Sequence, residues 1–149
     1  MMTVYVVDTN ILFSAIVSPT GSIARFLHAI DSYNIKLKAP TFLQDEFGHL
    51  YPKLVELTGQ DIEEVQEAVR ALFERLEFVE DQTIPIAHFA RAYKLIGEID
   101  RDDLSFVALS SYEDAYLLTG DKRLAKGLID KGYEKVISYA ELKDKHNIV

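Results

Sequence analysis

The chain of 149 residues contains no cysteine, which excludes disulfides, thiolate zinc sites and a thiol nucleophile together. No apolar stretch approaches the ~20 residues needed to cross a bilayer, and Met1-Met2-Thr3 lacks the basic opening of a signal peptide; no membrane association and a cytoplasmic location are therefore expected. Repeats, linkers and low-complexity tracts are missing too. Positive charge is scarce: 16 Lys+Arg face 24 Asp+Glu, for a net charge of −8. That balance is awkward for a nucleic-acid partner, whose affinity rests largely on Lys and Arg neutralising phosphates. The scarcity is uneven, however. Asp45 to Asp81 holds eleven acids against three bases, which accounts for the whole excess, whereas Lys122 to Lys145 holds seven bases against four acids. Such asymmetry permits a basic approach to an acidic site, with an acidic helical face elsewhere.

What is present is enough apolar material, 48% of residues, for one core, so the chain reads as a single domain over 1–149. Thr3 to Val7 is a β-branched and aromatic run suited to a buried central strand, and Ile35 to Ala39 a second. Ile23, Phe26, Leu27 and Ile30 recur at helical spacing. Pro40 ends the second strand, and Thr41 with Gln44 resembles a capping box opening a helix that carries Glu46 in its first two turns. Asp61 with Glu64 looks like another acidic helix start, followed by a stripe from Ile62 to Leu76. Phe78-Val79 is expected as a short strand. Helices are expected over His88 to Leu95 and from about Asp103, then a strand at Ala115 to Leu118, a helix over Leu124 to Ile129, a last strand at Val136-Ile137 and a helix from Tyr139 to Lys143. Strands alternating with helices imply an α/β fold, a mainly parallel central sheet flanked by helices in three layers.

Four acidic stretches punctuate this pattern: Asp8-Thr9-Asn10, Asp45-Glu46, Asp100-Arg101-Asp102-Asp103 and Thr119-Gly120-Asp121. Asp8 and Asp121 end buried strands, so a parallel sheet brings both to its carboxyl edge, where open α/β sheets carry their functional loops. The Asp100 to Asp103 stretch leads into a helix whose start returns to that edge, and Glu46 joins if its helix crosses the strand ends. Carboxylates gathered from distant segments repel one another, and a hard divalent cation is the usual reason for such a meeting.

At these residues the sequence resembles the PIN-domain family of metal-dependent nucleases, over roughly Val4 to Leu142. The match is in order as well as type: Asp8-Thr9-Asn10 after the first strand, a helical Glu46, Asp103 before Phe106 to Leu109, and Thr119 to Lys122. Asp100 to Leu142 looks especially like the prokaryotic branch whose members are often toxins of toxin/antitoxin pairs. The resemblance implies Asp8, Glu46, Asp103 and Asp121 as catalytic, metal-binding acids, with Asp100 as a reserve ligand and Asn10 and Thr119 orienting them. It further implies Mg²⁺ or Mn²⁺ as cofactor, hydrolysis of single-stranded RNA, a toxin role with an antitoxin protein as partner, and a homodimer. Lys122 or Arg123 would hold phosphate oxygens as charge builds. Many relatives carry a further acid shortly after the Thr-Gly-Asp step, where this chain has Leu124, Ala125 and Lys126, which weakens the case for a second metal.

Plainer readings compete. A single Asp at a strand end is most simply a turn former, and Asp102 reads as a helix cap rather than a ligand. Glu46 and His49 form one Glu-x-x-His step, but the four-helix metal sites that use it need two copies and no strands. His28, His88 and His146 have no ligand spacing. Tyr5, Tyr93, Tyr116 and Tyr139 sit in apolar runs and are expected in the core. A phosphoacceptor receiver domain wants an acidic pair after its first strand, whereas Asp8-Thr9-Asn10 supplies one acid. The alternative function is a catalytically silent PIN-like module that binds RNA or protein.

Overall fold

Three successive residues of the first strand, Tyr5, Val6 and Val7, are fully buried. A strand buried on both faces needs helices above and below it. The computed structural model, described over residues 2–97 and 100–149, supplies them. Strand β1 (Thr3–Val7) leads to α1 (Thr9–Val17) and α2 (Ser22–His28), and β2 (Ile35–Pro40) to α3 (Phe42–Thr58) and α4 (Ile62–Phe73). Then β3 (Leu76–Val79) leads to α5 (Ile86–Ile96) and α6 (Leu104–Glu113), β4 (Tyr116–Leu118) to α7 (Lys122–Asp130), and β5 (Val136–Ile137) to α8 (Tyr139–Lys145).

The strands hydrogen-bond in the order β3-β2-β1-β4-β5, and every pairing is parallel, where the sequence predicted a mainly parallel sheet. Chain order runs outward from β1 to β2 and β3 on one side, then jumps back to β4 and β5 on the other. The reversal falls between β1 and β4, so the loops leaving these two strands part in opposite directions and open a crevice at their carboxyl ends. Val7 stands opposite Leu118 in the register, and the Asp8 amide donates to the Leu118 carbonyl at 2.9 Å.

Beside the sheet, Phe106, Val107, Ala108 and Leu109 of α6 are fully buried. Phe47 of α3 meets Phe73 edge-on, and Phe73 meets Phe78. The predicted acidic start of α4 is a complete capping box between Asp61 and Glu64. The one proposed for Thr41 and Gln44 does not form: the Thr41 side chain makes no cap bond within its own helix. Its hydroxyl is engaged by Asp81 instead, at 3.2 Å. Two of the tyrosines expected in the core are also elsewhere. Tyr5 is fully buried, but Tyr93 and Tyr116 are exposed, because Tyr93 lies on the solvent side of α5, where only Ala92 and Ile96 are buried, and Tyr116 at the exposed first position of β4. Among the described residues no single helix is long and apolar enough to cross a membrane.

Candidate active site at the switch point

Asp8 sits at the end of β1 and caps α1, so its position is fixed by the central strand. Its carboxylate accepts from the Thr9 amide at 2.8 Å, the Asn10 amide nitrogen Nδ2 at 3.2 Å and the Thr119 hydroxyl at 2.8 Å. Thr119, at the end of β4, accepts in turn from Asn10 Nδ2 at 3.2 Å and from the Asp121 amide at 3.0 Å. Asn10 completes the link by accepting from the Gly120 amide at 2.8 Å. A Cβ on residue 120 would stand 3.2 Å from Asn10 Oδ1, so glycine lets the β4 loop come this close. Asp121 then caps α7, accepting from the amides of Arg123 and Leu124 at 3.0 and 3.1 Å. Asn10 and Thr119 thus stand where residues that orient carboxylates should stand, joining the two strand ends across the crevice.

The other two acids come from helices. Glu46, near the start of α3, accepts the Thr9 hydroxyl at 2.5 Å. Asp103 is buried at the entry to α6, following a short 3₁₀ turn over Arg101–Asp103. That turn is capped by Asp100, which accepts the Asp102 amide at 2.9 Å. Asp102, predicted as the cap, is therefore the residue capped, because Asp100 lies at the extended position before the turn, where a side-chain oxygen reaches the amide two residues on. The Asp102 carboxylate is near enough to act on Glu46.

Electrostatics tie the set together. Burial, then repulsion from Asp8, Asp102 and Asp100, pushes the Glu46 carboxyl up to about 7, against the Thr9 hydrogen bond. Asp103 is raised to about 8 by burial first, then by Asp8, Asp100 and Asp121. Asp8 is raised by burial, with Asp121 adding to it and its three hydrogen bonds opposing. The segments predicted to supply acids thus meet at one site. Among the described residues no three carboxylate or imidazole side chains are already posed to hold a metal ion. The donor set nonetheless suits a hard divalent cation: oxygen ligands only, partly desolvated and mutually repelling, so that a bound cation relieves both costs.

A cleft of about 280 Å³ opens over Asp8, Thr9, Asn10, Glu46, Lys53 and Asp103. It adjoins a second of about 450 Å³ lined by Phe42, Asp45, Glu46, His49, Leu50 and Asp102. Lys122 and Arg123 are exposed on the first turn of α7, directly after Asp121.

Several residues escaped sequence reasoning. Thr9 belonged to the quoted motif, but its hydroxyl contact with Glu46 is set by the packing of α1 against α3. Lys53 puts a cation in the cleft wall, its ammonium 5.8 Å from the Phe13 ring. Asp81, after β3, ties the two helix starts together. Its Oδ1 accepts from the Thr41 hydroxyl and the Phe42 amide at 3.2 and 3.3 Å, and its Oδ2 from the Ser105 hydroxyl at 2.9 Å. It therefore sets α3, which carries Glu46, against α6, which follows Asp103. Nothing in the spacing marks these three.

The family model of the PIN domain matches residues 6–141. The chain belongs to the PIN domain family. Solved structures agree on the PIN fold. VapBC2 from Rickettsia felis, in a crystal structure bound to a DNA fragment from its promoter, is 16% identical with a TM-score of 0.71, covering 91% of this chain and 98% of that one. PAE2754 from Pyrobaculum aerophilum is 17% identical, TM-score 0.71, over 99% and 91%. VapBC-1 from nontypeable Haemophilus influenzae is 16% identical, TM-score 0.61, over 93% and 99%. No curated protein matches the sequence.

Proposed function

We propose that this PIN domain is a Mg²⁺- or Mn²⁺-dependent endoribonuclease that hydrolyses single-stranded RNA, acting in the cytoplasm as the homodimeric toxin of a toxin/antitoxin pair. The observation that carries the reading is the convergence of Asp8, Glu46, Asp103 and Asp121 at the switch point, with three of them held above the ordinary carboxylate range. The likeness to VapBC2 and VapBC-1 supports an antitoxin partner.

In this reading Asp8, Glu46, Asp103 and Asp121 hold the cation, with Asp100 beside Asp103 as a further oxygen donor. Mg²⁺ or Mn²⁺ bound there supplies the Lewis acidity that makes water a nucleophile at neutral pH and offsets charge on the phosphodiester. Thr119 and Asn10 keep Asp8 from turning away, and Thr9 does the same for Glu46. Lys122 and Arg123, next to Asp121, engage the phosphate oxygens, where a cation is worth most as charge accumulates.

A silent binding module is the second reading, favoured by the net charge of −8 and by the lack of a ready-posed ligand set among the described residues. Incubating the purified chain with labelled single-stranded RNA separates the two. Cleavage with Mg²⁺ or Mn²⁺ that stops on adding EDTA is expected; binding with no turnover in either metal establishes the module instead.

A further inference from the structure

The net charge and the acid centre leave unexplained how this protein attracts a polyanion. Lys122 to Lys145 was the basic stretch of the sequence, yet only its beginning lies by the acids. Helix α7 starts beside Asp121 and runs away from it toward the opposite edge of the sheet, where the loop before β5 returns. There Tyr116 opens β4, 38% exposed, at the other end of the strand from Thr119. The Lys135 and Lys145 ammonium groups stand 5.8 and 5.3 Å from the centre of its ring. Nearby, the Arg91 guanidinium lies 5.1 Å from the Tyr133 ring, and Lys131 reaches the Lys94 carbonyl at 3.3 Å. Four cations, Arg91 from α5, Lys131 and Lys135 from the α7–β5 loop and Lys145 from α8, therefore meet at one edge.

This edge has a cleft of about 280 Å³, whose walls include Arg91, Ser111, Tyr116, Tyr133 and Lys135. Two acids, Asp114 and Glu134, also line it. Lys135 pairs with Asp114 at 2.5 Å, but that Asp is exposed and such a surface pair is weak in water, so a phosphate can replace it. An aromatic ring flanked by cations is the arrangement that holds unpaired bases: the ring stacks on a base of any identity and the cations take the phosphates on either side. Duplex RNA hides the base faces and gains nothing from the ring.

We propose that the amino-terminal edge of the sheet is a docking platform for single-stranded RNA, with Tyr116 stacking on a base and Arg91, Lys135 and Lys145 holding the neighbouring phosphates. The choice of RNA rests on the ribonuclease reading. The nine residues of α7 span about 14 Å between the two edges. The platform thus engages strand beyond the nucleotides that flank the bond to be cut, leaving the acid centre to handle only the scissile phosphate.

The test measures binding in EDTA, where hydrolysis plays no part, using labelled oligouridylate, either long or only three nucleotides in length. The parent chain should bind the long strand more tightly than the short one. Tyr116→Ala and Lys145→Gln should each weaken long-strand binding by about tenfold, and should weaken short-strand binding too, because a trinucleotide fits the platform while the acids without a cation repel it. Lys145→Gln should also reduce the slope of log K against log salt by about 0.7. Tyr116→Phe, which keeps the ring, should bind as the parent does; this separates stacking from damage to the fold, which melting curves check directly. Unchanged affinity and slope in both variants overturn the platform. So does equal affinity for duplex RNA, or tighter binding of polyglutamate that survives Tyr116→Ala, which would make the face a dock for an acidic protein segment. Ring-dependent RNA binding in a chain that cleaves nothing with Mg²⁺ or Mn²⁺ upholds the platform while refuting the ribonuclease.

Discussion

Replacing Glu46 by Gln tests the electrostatic cost of the acid centre with little change of shape. The Gln carbonyl still accepts the Thr9 hydroxyl that Glu46 accepts at 2.5 Å, so what is lost is the charge. In the folded protein this carboxyl is raised from 4.5 to about 7, and the native state therefore holds its proton more tightly than the unfolded chain does. Stability from that proton is fully present below about pH 4.5, falls as pH rises, and is gone above about pH 7. At full strength the loss is roughly 3.4 kcal/mol, at about 1.36 kcal/mol for each pH unit. Glu46 is only half-buried, so water screens its charge and about 1.5 kcal/mol is the magnitude to expect. A Gln variant escapes this loss at every pH. Melting curves in EDTA should show it about 3 to 6 °C above the parent near pH 8, with the lead closing near pH 4.5. Added Mn²⁺ should narrow the lead at pH 8, because binding stabilises the parent more than a chain missing one ligand. A lead of the same size at both pH values, or a variant that melts lower at pH 8, refutes the reasoning.

Asp8→Asn should abolish RNA cleavage and shrink the rise in melting temperature that Mn²⁺ gives; an undiminished Mn²⁺ response would show that Asp8 is no ligand. Asp81→Ala should cost about 1 to 3 kcal/mol of stability by leaving the Thr41, Phe42 and Ser105 donors without their acceptor. It should also weaken Mn²⁺ binding, read by titration calorimetry on the folded variant, and intact Mn²⁺ affinity would reduce Asp81 to a structural role. Lys122→Ala with Arg123→Ala should lower the cleavage rate at saturating RNA, since phosphate contacts that strengthen with developing charge act on the transition state. A rise in KM alone would assign both residues to ground-state binding.

The strands and helices were legible because the chain alternates period-2 and period-3.6 patterns with clear stops, and because Asp8 and Asp121 fall where hydrophobic runs end and Asp103 where one begins. Strand-end acids converge by topology alone, so the site could be read without knowing a single distance. What stayed illegible depends on which element packs on which. Thr41 looks like a cap in sequence, but its hydroxyl is engaged by Asp81 from 40 residues away. Asp102 and Asp100 are both plausible caps, and the extended backbone at Asp100 decides between them. Tyr116 lies in an apolar run, yet its place at the first position of a three-residue strand exposes it. Period and composition carry no record of such choices.

The hydrogen bonds joining Asn10 to Gly120 and Thr119 to Asp8 close a contact across 110 and 111 positions of chain. A growing polypeptide emerges from its N-terminus, so β1, α1 and β2 exist long before β4 has been made. Until β4 pairs with β1, nothing holds Asp8 and Asp121 at one place, and β1 keeps an open edge. The acid centre is therefore among the last features to assemble, as expected for long-range parallel pairing. On the proposed toxin reading this order of events is a safeguard: a chain stalled or cut short before residue 121 carries three of the four acids and lacks the fourth.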